Sequence, residues 1–147
     1  MPALLIRPLA PPDREAWAPL WADYLTFYEK ALTQEVTEAT WQRLIDGRLI
    51  GRCAIDGASR MLGIAHALLH EGTWSQKPVC YLEDLFVSEA SRGQGVGRAL
   101  IAALAEEGRA TGWLRLYWQT AAGNKTARAL YDKLARRTDW VRYDLDL

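Results

Sequence analysis

The chain reads as an α/β (α+β) domain in which about four helices cover a mixed sheet, in the order β-α-α-β-β-β-α-β-α-β. Three observations predict this. Apolar residues recur at helical spacing in several segments, and short strand-like runs bounded by turn residues lie between them. A glycine-rich turn, Arg92-Gly93-Gln94-Gly95-Val96-Gly97-Arg98, then joins a strand-like run to a helical one. At 147 residues the chain is sized for one domain, 1–147, with a core that needs no staples.

The elements follow in order. Leu4–Arg7 is a short strand, stopped by Pro8, Pro11 and Pro12. Asp13 to about Leu32 is helical, with Trp17, Leu20, Trp21, Tyr24, Leu25 and Tyr28 on one stripe. A second helix spans Thr37–Asp46, with Thr37 and Thr40 as candidate caps, and Gly47 ends it. Three strands, Leu49–Ile55, Met61–Leu69 and Val79–Val87, are separated by the Asp56-Gly57 turn and a looser connection from Glu71-Gly72. Val96 to about Ala110 is a helix closed by Gly112. Leu114–Trp118 reads as a buried strand. Asn124 caps a helix whose stripe is Ala127, Leu130, Tyr131 and Leu134, and Trp140–Leu147 reads as the closing strand.

Lys+Arg and Asp+Glu both number 18, so no global field favours nucleic acid or an anionic membrane. Residues 1–47 carry 4 basic and 7 acidic side chains, leaving the remainder net positive. That asymmetry suits a cationic substrate facing an anionic cofactor, or is plain solvated surface. Cys53 and Cys80 form no disulfide framework, and with two histidines and no CxxC or HExxH no metal site is expected. No run approaches a membrane span, so a cytoplasmic location is the default expectation.

A glycine turn entering a helix gathers backbone N–H groups at the positive end of the helix dipole, which makes an anion cradle. Spacing tests which phosphate it takes. A Walker A loop requires a lysine that does not follow Gly97, and the third glycine of a dinucleotide fingerprint falls on Arg98. Arg-x-x-Gly-x-Gly, from Arg92 through Gly95 to Gly97, remains; without its flanks it reads equally as a ligand-free strand–helix turn.

The flanks decide. Tyr81-Leu82-Glu83-Asp84-Leu85-Phe86-Val87, the Arg92–Gly97 loop, Asn124 and Ala129-Leu130-Tyr131 together resemble the GNAT superfamily of acetyl-CoA-dependent N-acetyltransferases. Tyr-Leu-Glu-Asp before the loop and Asn-x6-Tyr after it resemble the diamine and polyamine branch, which includes enzymes acting on spermidine and thialysine-like amino acids. The resemblance implies a mostly antiparallel sheet and acetyl-CoA as co-substrate. Its pyrophosphate would lie on the N–H groups from Gly93 to Arg98, with Arg92 or Arg98 adding charge. Its pantetheine arm would pair with the main chain of Leu85, Phe86 and Val87, and Asn124 is either an arm contact or a plain cap. It also implies a small-molecule amine acceptor attacking directly in a ternary complex, and a homodimer. A protein N-terminus or lysine as acceptor, and a non-catalytic acyl-CoA sensor, are the alternatives.

Acetyl transfer to an amine needs a proton acceptor, because an alkyl ammonium near pKa ~10 is mostly protonated at neutral pH. Strand alternation puts Glu83 with Tyr81, Leu85 and Val87, and Asp84 on the other face, so the acids are not expected to pair. Apolar neighbours would raise Glu83's pKa, which suits a base; an ion pair with a nearby Arg is the alternative. Asp84 is the lesser candidate, a structural partner or second substrate contact. The resemblance implies Tyr131 as the acid for the leaving thiolate, and a backbone N–H near Leu85 or Phe86 for the oxyanion. The acceptor pocket is expected from the two N-terminal helices and loops near Trp74 and Trp118. Trp17, Trp21, Tyr24 and Tyr28 form an aromatic stripe, either core or a cation–π surface.

Overall fold

A computed structural model describes residues 3–147. β1 (Leu5–Pro8), β2 (Ile50–Ile55), β3 (Met61–His70), β4 (Val79–Val87) and β5 (Arg115–Tyr117) form one sheet in that order. The first four are antiparallel and β5 runs parallel to β4, as a mixed, mostly antiparallel sheet requires. The helices are α1 (Arg14–Phe27), α2 (Gln34–Ile45), α3 (Val96–Thr111) and α4 (Lys125–Leu134).

The helices pack in two layers because their stripes match opposite sheet faces. Trp17, Leu20 and Trp21 of α1 and Trp41 and Leu44 of α2 meet Cys53, Ile64 and Phe86 on one face. Val96, Leu100, Ile101 and Leu104 of α3 meet Ala54, Leu62, Ala65 and Leu82 on the other, with Tyr131 and Leu134 of α4 beside them. Trp17 is fully buried, its ring 4.8 Å from Trp41 and 5.7 Å from Trp21. Trp17→Ala is expected to cost about 3–5 kcal/mol, read from urea unfolding, because the cavity sits where three elements meet.

Local chemistry sets the boundaries. The Thr33 hydroxyl, rather than Thr37 or Thr40, caps α2 by accepting from the Val36 N–H. α1 stops at Phe27, short of Leu32, and the chain turns through Glu29 at φ 54°. Asp56 holds its turn by accepting from the Ala58 and Arg60 N–H groups. Gly112 at φ 89° closes α3. No helix among the described residues is long and apolar enough to cross a membrane.

The expected closing strand is not formed. After α4, residues 135–147 carry no regular structure and are exposed throughout. A strand needs a neighbour, and β5 offers a half-exposed edge of only three residues rather than the buried run expected for Leu114–Trp118. The element order in this chain therefore ends at α4.

Candidate active site

The site begins at a bulge. His66 of β3 lies opposite Asp84, but Ala67 lies opposite Leu82, which leaves Glu83 as an extra residue in β4. Strict alternation therefore fails here. Leu82, Leu85 and Val87 pack on the α3 side, whereas Phe86 packs on the α1 side and Asp84 reaches His66. Glu83 opens on that α1 side too, into a pocket with Tyr24, Tyr28 and Tyr81. The expectation that the two acids face apart is corrected: the bulge sets them side by side. Burial first, then the charge of Asp84, raises the Glu83 carboxyl above its ordinary value, while His66 opposes this.

The pocket has a volume of about 410 Å³. Tyr24 and Tyr28 of α1, Tyr81 and Glu83 of β4, and Gln119, Thr120 and Ala121 after β5 line it, with Arg142 and Asp144 of the C-terminal segment. The loop after Trp118 contributes as expected, though the Trp118 ring itself lines a separate cleft between α3 and α4; α2 and Trp74 do not contribute, and Trp74 stands in solvent. The aromatic stripe divides: Trp17 and Trp21 are core, and Tyr24 and Tyr28 are wall. Burial, then the charge of Asp84 and a hydrogen bond with it, push the Tyr24 phenol well up.

The β4–β5 pairing runs only from Val79–Arg115 to Tyr81–Tyr117 and stops at the bulge. Beyond it, the edge of β4 carrying Leu85, Phe86 and Val87 has no strand beside it; the Val87 carbonyl accepts from Arg92 Nε, and the rest of that main chain is open to an added extended partner.

That open edge leads to the glycine turn. Gly93 and Gly95 take φ 78° and 82°, which other residues adopt only with strain, and Gly95 caps α3. Among the described residues the N–H groups of Gly93, Gln94, Gly95, Val96, Gly97 and Arg98 find no partner, the first helical bond being Ala99 N–H to Gly95 C=O. At Gly97 an added Cβ would meet Val87 Cγ2 at 3.7 Å and Leu85 Cδ2 at 3.9 Å, ordinary contacts. Packing does not demand glycine there. Arg92 turns away from the cradle: its Nε donates to the Val87 carbonyl and its guanidinium lies over Phe86 and Phe27.

Asn124 is a cap: its Oδ1 accepts from the Ala127 N–H at 3.3 Å, and its Nδ2 donates to Thr120 Oγ1, leaving one amide hydrogen. Tyr131 packs edge-on against Trp118, 5.5 Å between centroids. Its hydroxyl makes no hydrogen bond among the described residues, and burial, then Tyr28, keeps the phenol protonated. Tyr28, which lines the pocket holding Glu83, is close enough to act on the Tyr131 phenol.

Sequence reasoning missed His66. Its signal was there: a lone imidazole inside the apolar run Met61-Leu62-Gly63-Ile64-Ala65-His66-Ala67-Leu68-Leu69. Cys53 and Cys80 are buried with thiols pushed up to about 11, which keeps them protonated and inert. Among the described residues no cluster of His, Cys, Asp or Glu is placed to hold a metal.

The β4–β5 pairing stops beside a bulge, an unpartnered N–H cradle lies beyond it, and Glu83 faces the cleft. The chain belongs to the acetyltransferase (GNAT) family, whose model matches residues 5–135, and it is an N-acetyltransferase. It is similar to the D-amino-acid N-acetyltransferase HPA3 of Saccharomyces cerevisiae, 36% identical over 143 residues, 95% of this chain and 89% of that one. It is also similar to the aminoglycoside N(6')-acetyltransferase type 1 of Stenotrophomonas maltophilia, 37% identical over 107 residues, 67% of this chain and 63% of that one. Its fold matches the structure of AAC(6')-Iy in complex with a CoA bisubstrate analogue, TM-score 0.85 over 99% of both chains at 21% identity.

Proposed function

We propose that the chain, as a single domain over 1–147, transfers the acetyl group of acetyl-CoA to a primary amine of a small molecule (a polyamine, diamine or amino acid) by direct attack in a ternary complex. The observation that carries this is Glu83, placed by the bulge in an aromatic pocket beside the open edge of β4, with Asp84 next to it and bonded to His66. The pyrophosphate rests on the N–H groups from Gly93 to Arg98 and the arm lies along Leu85, Phe86 and Val87, with Asn124's spare amide hydrogen in reach. Arg98 supplies the charge at the cradle, and Arg92 instead fastens the end of β4 to the end of α1. Glu83 takes the amine's proton, and Tyr131 donates to the sulfur as the thioester breaks.

The test is CoA release with acetyl-CoA and a panel of diamines, polyamines, D- and L-amino acids, aminoglycosides and short peptides. Turnover of small amines is expected. Turnover of peptides alone, or of nothing, contradicts the proposal. D-amino acids belong in the panel because the yeast relative is named for them, and thialysine because a nematode relative carries that name.

The pH dependence has a definite sign. A base must be ionised, so kcat/KM falls as pH drops through the Glu83 pKa, and that limb lies above the ordinary glutamate value. Asp84→Asn removes a charge that raises it, so the limb moves to lower pH in that variant.

The proposal places this enzyme in the cytoplasm, as a homodimer. Val141, Tyr143, Leu145 and Leu147 alternate with Arg142, Asp144 and Asp146, a strand pattern left exposed beside the edge strand β5. A second copy covers it by strand addition. Light scattering after gel filtration is expected to give a dimer for the full chain and a monomer when residues 138–147 are deleted; a monomeric full chain contradicts this.

A further inference from the structure

His66 is almost wholly buried, yet both ring nitrogens are engaged. Trp17 Nε1 donates to Nε2 at 3.0 Å, and Nδ1 meets Asp84 Oδ2 at 2.9 Å. The indole N–H is a donor only, so Nε2 must accept, and the ring's single proton sits on Nδ1 and is donated to Asp84. The tautomer is thereby set by chemistry on both sides. Trp17 in turn is wedged between Trp21 and Trp41, so the donor itself is rigid.

A neutral donor has a particular use here. An Arg or Lys at this position would hold Asp84 but cancel its charge. The imidazole fixes one carboxylate oxygen and leaves the net negative charge intact. That charge acts across the pocket face, on Glu83 beside it and on Tyr24 above it. A buried polar network of this kind is stabilising only when every member is satisfied, and His66 and Trp17 are.

We propose that His66 is a positioning residue: clamped between Trp17 and Asp84, it holds the Asp84 carboxylate beside Glu83 so that its charge draws the acceptor's ammonium group to the pocket, leaving Glu83 free to take the proton. This rests on the acetyl-transfer reading, but its structural half can fail separately. Deprotonation then divides cleanly. One proton of the ammonium passes to Glu83, the freed lone pair attacks the thioester carbon, the C–S bond breaks as Tyr131 donates to sulfur, and the adduct nitrogen releases its second proton to solvent, from which Tyr131 is reprotonated.

The test is steady-state kinetics of His66→Phe, His66→Gln, Asp84→Asn and the double variant His66→Phe/Asp84→Asn, with thermal unfolding of each. Hydrogen bonds to charged groups are worth roughly tenfold to a hundredfold. His66→Phe is expected to raise KM for the amine by about that factor while KM for acetyl-CoA stays fixed, and His66→Gln, which can still donate, to recover much of it. In the Asp84→Asn background His66→Phe should add nothing to the KM change. Equal loss in both His66 variants, or an additive effect in the double variant, overturns the proposal. Nitrogen NMR of the wild-type protein reads the clamp without turnover: a protonated Nδ1 with a bare Nε2 is expected, and the opposite tautomer refutes it even if a variant fails to fold. If the wild type turns over no amine but shows the expected tautomer, the acetyl-transfer reading fails and the positioning role fails with it, whereas the clamp stands.

Discussion

Glu83→Gln is expected to lower kcat/KM for the amine by about 10²–10⁴-fold while acetyl-CoA binding is unchanged. The substitution keeps the shape of the side chain and its place in the bulge, but an amide cannot accept the proton of an attacking ammonium. No ion pair involving Glu83 is found among the described residues, Arg142 of the same pocket pairing with Asp144 instead, so little structure depends on it. The raised pKa works in the same direction: a more basic carboxylate is a better acceptor, provided the pH is above it. Unchanged turnover in Glu83→Gln, with the protein folded, would remove Glu83 from the chemistry.

Tyr131→Phe is the second large effect, and its expected size is smaller for a chemical reason. A thiol ionises near pKa ~8.5, so a thiolate leaves tolerably well without a proton, whereas an ammonium cannot attack at all. The loss is therefore expected at roughly tenfold to a hundredfold in kcat, with KM for both substrates little changed. Because the Tyr131 hydroxyl has no partner among the described residues and the ring still packs on Trp118, the melting temperature should barely move. A loss of stability matching the loss of rate would instead mark Tyr131 as a packing residue.

Features governed by local chemistry were legible in the sequence. The helix stripes, the Asp56 turn, the Gly112 closure and the positive φ of Gly93 and Gly95 each depend on residues within a few positions. The bulge at Glu83 does not. It is a matter of register between β3 and β4, and one extra residue leaves no mark in the pattern of apolar side chains. Reading β4 by alternation alone thus separated two acids that the fold joins. His66 and Asp84 are 18 positions apart and meet only because the hairpin register sets them opposite. What Arg92 touches was not legible either: its Nε donates to the Val87 carbonyl and its guanidinium lies over Phe86 and Phe27, rings that the fold brings to it. Residues 140–147 have a strand's alternation but form no strand in the structure.

Direct attack of one amine on the thioester in the pocket at Glu83 is tested by initial rates measured by varying the best acceptor against acetyl-CoA. Intersecting reciprocal plots, as a ternary complex requires, are predicted. Parallel plots, the mark of an acetylated enzyme intermediate, would contradict it.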